Sequence, residues 1–154
     1  MLSAIDVVLG CWPQAREGLV MLGHRPHLDA ARVLAHAALG AGVYACGSTK
    51  EEYGLAIVEA LGAGLAVVAP ATGGPGTYLE DGRTGVLVDG ARVDAIRAGI
   101  HEARALAAMP GRAEAARDQV LREMTIEHMA GRLVELYRTA VAEGPVVAPA
   151  SATQ

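Results

Sequence analysis

The sequence predicts an α/β protein: a doubly wound parallel sheet with helices on both faces, followed by a run of helices. Three observations carry this reading. Short apolar runs such as LAVVA and GVLV show little polar alternation, as expected of strands buried on both faces in a parallel sheet. These runs alternate with helical stretches through joints of two to six residues, the rhythm of strand–helix–strand units. After Asp89 the β-branched runs stop and only helical patterning remains.

In chain order, residues 5–9 (IDVVL) read as a strand and 19–22 (LVML) as another. Residues 27–39 form a helix with Leu28, Ala31, Val33, Leu34 and Ala38 on an apolar stripe. Residues 43–46 read as strand, 54–63 as helix, 65–69 as strand and 85–88 as strand. Asp81-Gly82 marks a turn before the last of these. Helices are expected over 93–108, ended by Met109-Pro110-Gly111, then over 112–123 and 126–142. Thr125 is placed to cap the last one, and Glu127 to face the positive end of its dipole. Ile126, Met129, Leu133, Leu136, Tyr137 and Ala140 share one face of that helix, which is expected to pack on the sheet. The boundaries imply one domain over residues 1–143 and a loose tail over 144–154, with no internal repeat.

The bulk numbers narrow the function classes. A chain of 154 residues can bury a proper core, and 52% hydrophobic residues exclude a disordered chain. Phe is absent, so Ala, Val, Leu and Ile must build that core. A net charge of −4 with dispersed Arg gives no nucleic-acid footprint, and the basic residues of the helices are expected on solvated faces. Cys11 and Cys46 stand 35 positions apart without a CxxC, which reads as two buried free thiols rather than a disulfide or metal site. No signal-peptide pattern opens the sequence and no apolar run approaches a membrane span. A soluble, cytoplasmic protein is the expectation.

The chemistry concentrates between residues 48 and 76. Glu51 falls in the loop leaving the strand 43–46 at its C-terminal end, where ligands bind in open α/β sheets. Glu59 lies about 7.5 Å along the following helix. Helical side chains lean toward the N-terminus, so both carboxylates can reach one crevice. Around Glu59 stand Leu55, Ala56, Gly62 and Ala63, three of them small, while Ile57, Val58 and Leu61 face the core. Small neighbours admit either a ligand or another backbone. Free N–H groups near Tyr53, Gly54 and Leu55 favour an anion such as phosphate, and Gly54 leaves the approach unblocked. A carboxylate beside that anion suits vicinal hydroxyls, so a nucleotide or nucleotide-sugar matches the pair. Lys50, the single lysine, reads as a solvated loop residue with a phosphate contact as the alternative. Gly73-Gly74 belongs to a second glycine-rich loop, either a structural turn or a wall of the same crevice.

Taken together these residues resemble the C-terminal, donor-binding domain of retaining GT-B glycosyltransferases of family 4. The resemblance rests on Glu51, Tyr53-Gly54-Leu55 and Glu59, the stretch Ala60 to Ala69, Gly73-Gly74, and Asp81 to Val88. Leu22-Gly23-His24-Arg25-Pro26 and the Thr125-Ile126-Glu127 helix start also look like the family, so it covers about residues 19–142. Ala66 replaces a common Pro, and Thr77 a frequent Glu.

The resemblance implies a Rossmann-like sheet, part of a GT-B C-terminal domain, and a nucleotide-diphosphate-sugar donor. Glu59 would hold the ribose hydroxyls, and Glu51 would be the catalytic carboxylate beside the transferred sugar. Ser48, Tyr53, Gly54, Leu55, Gly73 and Gly74 would complete the donor site, with no metal and no other cofactor. The acceptor domain, and the Arg and Lys that the family sets on the diphosphate, have no counterpart in the sequence. The chain is therefore expected to be a truncated donor domain, inactive alone and completed by an acceptor-domain polypeptide. The alternatives are a non-catalytic, degenerate donor domain that binds a nucleotide-sugar weakly or only a protein partner, with an exposed sheet edge favouring self-association or pairing, and, third, a sugar-nucleotide epimerase of the same architecture.

Overall fold

The computed structural model describes residues 4–143, so the expected tail over 144–154 lies outside the described residues. Two compact units meet between Ala30 and Ala31. In the first, helix α1 (Ala4–Cys11) is followed by a 3₁₀ turn (Pro13–Gly18) that packs against it. Trp12 N–H donates to the Val8 carbonyl at 3.0 Å, and Ala15 N–H to that of Trp12 at 3.0 Å.

Both strands expected in this unit are absent. Residues 5–9 lie in α1, where Asp6 in the first turn complements the helix dipole. A five-residue apolar run fits a buried strand or a helix equally by period, and only a ladder partner makes it a strand. Residues 19–22 join no sheet; Leu19 is extended, at φ −102° and ψ 124°, and Val20 is exposed.

The second unit holds the sheet. Strands β1 (Val43–Ala45), β2 (Ala66–Pro70) and β3 (Gly85–Val88) run parallel in the order β1-β2-β3. The sheet has three strands where the sequence suggested five. Tyr44 pairs with Val67 across the first ladder, and Val68 with Val86 across the second. Every residue of β2 is buried, which explains its unbroken apolar sequence. Alternate residues face opposite layers. Val67 and Ala69 pack with Ile57, Ala60 and Leu61 of helix α3 (Leu55–Ala63) and Ala116 of helix α5 (Arg112–Glu123). Leu34, Ala37 and Ala38 of helix α2 (His27–Leu39) join that layer. Ala66 and Val68 pack with Val86, Val88 and with Ile96, Ile100, Ala103 and Leu106 of helix α4 (Val93–Ala107) on the other face. Helices thus cover both faces, and the fold is the Rossmann-like parallel α/β arrangement expected.

Helix α6 (Ile126–Glu143) starts as predicted: the His128 N–H donates to Thr125 Oγ1 at 3.2 Å. Its apolar stripe does not pack on the sheet. Ile126, Met129, Leu133, Leu136 and Tyr137 are all exposed, and the helix leans mainly on α5. Both faces of the sheet are already taken, one by α3 and α5 and the other by α4. No described helix is long and apolar enough to cross a membrane. Both cysteines are free, but Cys11 is exposed and Cys46 half-buried, not the buried pair expected.

Candidate functional site

The site residues sit where β1 and β2 end. Cys46 N–H still donates to the Val68 carbonyl at 2.9 Å, after which the two chains separate and then meet again. Glu51 N–H donates to the Thr72 carbonyl at 3.3 Å, and Gly74 N–H donates to the Glu51 carbonyl at 2.8 Å. The loop after β1 is thereby clamped to the loop after β2 through a parallel bridge between Glu51 and Gly73. The approach is as close as backbones allow. A Cβ on Gly73 would lie 2.0 Å from the Glu51 carbonyl oxygen, and one on Gly74 2.1 Å from that of Glu52. Gly73 also sits at φ 106° and ψ −149°, a conformation reserved for glycine. The Gly73-Gly74 pair is needed for this backbone contact. Gly74 then opens a 3₁₀ turn (Gly74–Thr77), closed by Thr77 Oγ1 donating to the Gly74 carbonyl at 2.7 Å.

With its backbone held, the Glu51 side chain is half-buried and accepts from Ser48 Oγ at 3.5 Å. Gly54 follows in the left-handed region, at φ 86° and ψ 62°, and gives α3 its start with no side-chain cap. Its missing Cβ makes room for the protein itself. The atom would fall 2.7 Å from Ile57 Cδ1 and 3.0 Å from both Glu51 Cγ and Tyr78 Oη. The first N–H groups of α3 have no acceptor inside the helix, and they open beside the Glu51 loop. Glu59, the fifth residue of α3, is exposed.

Two tyrosines show how the carboxylates are arranged. The Tyr44 hydroxyl is pushed above its ordinary pKa by burial first, then by Cys46, Glu51 and Glu59. Both glutamates therefore lie within electrostatic reach of one phenol. The Tyr78 hydroxyl is pushed up to about 12, by burial first, then by Tyr53, Glu51, Cys46 and Tyr44. It donates to the Tyr53 carbonyl at 2.5 Å, while the Tyr53 and Tyr78 rings tilt against each other with centroids 5.6 Å apart. Gln119 Nε2, from α5, donates to the Tyr78 carbonyl at 2.7 Å.

Tyr53 and Leu55 have a second role. With Val58 they form one wall of a groove of about 750 Å³, whose other wall is Ile126, Met129 and Leu133 of α6. Lys50 is paired with Glu52 at 2.6 Å on the exposed side of the loop. Among the described residues no group of three or more His, Cys, Asp or Glu side chains is gathered as a metal site would require.

Several residues at work here were not singled out in the sequence. Tyr44 and Tyr78 are two; with Tyr53, they place three of the chain's four tyrosines on β1 or in the loops after β1 and β2. That clustering is readable once the strands are assigned. Arg112 and Arg117 are two more. They were expected on a solvated face, yet Arg112 is buried and donates through Nη2 to the Gly64 carbonyl. Arg117 Nη2 donates to that of Ala63 at 2.9 Å. The C-terminal carbonyls of α3 need donors, and α5 supplies them.

A parallel α/β layer with helices on both faces and loops gathered at its C-terminal strand ends is a Rossmann-like arrangement. The chain belongs to the glycosyl transferases group 1 family, whose model matches residues 14–118. It is 37% identical over 103 residues to the alpha-maltose-1-phosphate synthase of Mycolicibacterium smegmatis, covering 62% of this chain and 27% of that protein. It is 38% identical over 97 residues to the D-inositol 3-phosphate glycosyltransferase of Rhodococcus opacus, covering 60% of this chain and 21% of the relative. The chain therefore spans about a quarter of the length of the curated relatives it matches. Its fold matches that of a sucrose-phosphate synthase from Thermosynechococcus elongatus with a TM-score of 0.69 and 24% identity. That match covers 91% of this chain and 34% of the synthase, so the two share a fold.

Proposed function

We propose that this chain is the nucleotide-sugar-binding half of a retaining glycosyltransferase. The observation that carries the reading is the clamp between the two strand-end loops. It fixes Glu51 beside the uncapped start of α3, with Glu59 four residues further along that helix. The N–H groups at the start of α3 meet the diphosphate. Glu59 accepts from the vicinal hydroxyls of the ribose. Glu51 lies against the transferred sugar, where a fixed carboxylate stabilises the oxocarbenium charge that develops as the bond to the diphosphate breaks. Ser48 holds the Glu51 carboxylate from one side. A separate domain presents the acceptor, and no metal is needed where the helix start already offsets phosphate charge.

A second reading has an observation of its own. β1 is an edge strand, and the α6 stripe lies open; both suit a module that binds a protein partner or a second copy. Calorimetric titration of UDP-, GDP- and ADP-sugars into the 154-residue chain separates the two. Binding at millimolar concentration or tighter that disappears in Glu59→Ala supports the donor site. An absence of heat with every donor overturns it and leaves the interaction module. Conversion of the donor to free nucleotide and an epimerised sugar, with no acceptor added, would instead indicate an epimerase.

A further inference from the structure

Tyr78 contributes neither a charge nor an obvious ligand contact, yet it touches the site's backbone at its most sensitive point. The peptide between Tyr53 and Gly54 is the hinge from which α3 starts. Its carbonyl receives the Tyr78 hydroxyl at 2.5 Å. In a trans peptide the carbonyl and the following N–H point in opposite directions, and no peptide of the described chain is cis. Holding the Tyr53 carbonyl toward Tyr78 therefore turns the Gly54 N–H away from Tyr78. A left-handed glycine can rotate this plane at little steric cost, so the orientation needs an external hold.

The hold is itself braced. The Tyr78 carbonyl receives Gln119 Nε2 at 2.7 Å, and its ring packs against that of Tyr53. Its backbone is fixed by its own N–H donating to the Pro75 carbonyl at 3.2 Å, directly after the 3₁₀ turn that begins at Gly74. The same turn is anchored to Glu51 through the Gly74 N–H. Tyr78 thus links the two loops a second time, through the Tyr53 carbonyl.

We infer that Tyr78 is a positioning residue that aims the Gly54 N–H at the diphosphate of the bound donor. The inference rests on the donor-site reading above. It adds that recognition of the diphosphate depends on one hydroxyl, separately from recognition of the ribose by Glu59.

The test compares the full chain with its Tyr78→Phe variant, which keeps the ring and removes the hydroxyl. The first readout is free of ligand: the backbone amide spectrum of the 15N-labelled protein. The Gly54 resonance should shift in Tyr78→Phe while that of Gly99, on α4 at the opposite sheet face, stays in place. An unmoved Gly54 resonance overturns the inference whatever the chain binds. The second readout is affinity for UDP-glucose, GDP-mannose and ADP-glucose against the matching nucleosides. Tyr78→Phe should weaken the diphosphate sugar about fivefold, as the loss of one aimed hydrogen bond does, and leave the nucleoside unchanged. Equal weakening of both ligands overturns the inference, because it marks a general loss of structure. If the unaltered chain binds none of the probes, the donor-site reading falls and this role falls with it. If it binds and Tyr78→Phe binds equally well, only the role of Tyr78 falls.

Discussion

Replacing Gly73 with alanine tests the contact on which the site is built. The new Cβ would lie 2.0 Å from the Glu51 carbonyl oxygen and 2.9 Å from its carbon. No rotamer relieves a Cβ clash, so the loops must part. Parting breaks the bonds from Gly74 N–H to Glu51 and from Glu51 N–H to Thr72, at about 1 kcal/mol each net. Alanine must also accept φ 106°, or rotate away from it, at a cost of about 1–3 kcal/mol. The expected loss is about 3–5 kcal/mol, a large share of the roughly 5–15 kcal/mol that holds a domain together. Urea unfolding followed by circular dichroism measures it as a lower midpoint at unchanged slope. Gly82→Ala is the control. Gly82 also has positive φ, at 73°, but open space where its Cβ would go, so it should lose only about 1–2 kcal/mol. If Gly73→Ala costs no more than Gly82→Ala, the two loops are not clamped as described.

The remaining predictions concern titration and packing. The raised pKa of Tyr78, about 12 against an ordinary 10, means that the folded state keeps a proton the unfolded state has lost. Stability from this group is complete below pH 10 and declines as pH rises to about 12. A spectroscopic tyrosinate titration should show a late component that Tyr78→Phe removes; its persistence would assign the late group elsewhere. On α6, Leu136→Gln should change stability by no more than about 0.5 kcal/mol, since Leu136 is 64% exposed. Leu61→Ala, at a fully buried position on α3, should cost about 2–5 kcal/mol. Equal costs in a thermal-melt comparison would show that the α6 stripe is covered in solution.

What the sequence revealed, and what it hid, divides by the range of the interaction. β2 was readable because a strand buried on both faces has no polar positions, and every one of its residues is buried. The α6 start was readable because a cap is local: Thr125 acts on the N–H three residues ahead. Glu51 and Glu59 fell at one end of the sheet for the same reason, since one loop and one helical turn separate them. The α1 run failed because IDVVL satisfies two periods and the choice depends on a ladder partner far along the chain. Arg112 failed similarly. Basic residues at helical spacing read as a solvated face, while the partner of Arg112, the Gly64 carbonyl, lies 48 residues back. The bond from Tyr78 to Tyr53 spans 25 residues.

These long-range contacts converge on α3, for a physical reason. A nine-residue helix is too short to be stable alone, and α3 begins at a glycine without a side-chain cap. An uncapped start keeps N–H groups available for an anion, but with glycine at the cap it gives up roughly a few tenths of a kcal/mol that a serine or aspartate cap would supply. Stability must come from elsewhere, without covering the open end. At the C-terminal end, Arg112 and Arg117 donate to the Gly64 and Ala63 carbonyls, where positive charge also complements the helix dipole. Burial holds the Arg112 guanidinium below its ordinary pKa, with Arg117 beside it adding to the shift. Its Nε and Nη1 have no protein partner, so the contact carries a cost. At the N-terminal end Tyr78 grips the hinge peptide on its carbonyl side, and α5 braces Tyr78 through Gln119. One helix, α5, therefore supports α3 at both ends and leaves its start without a side-chain cap. A binding helix with an open start needs such support, because a loose axis would carry Glu59 away from Glu51.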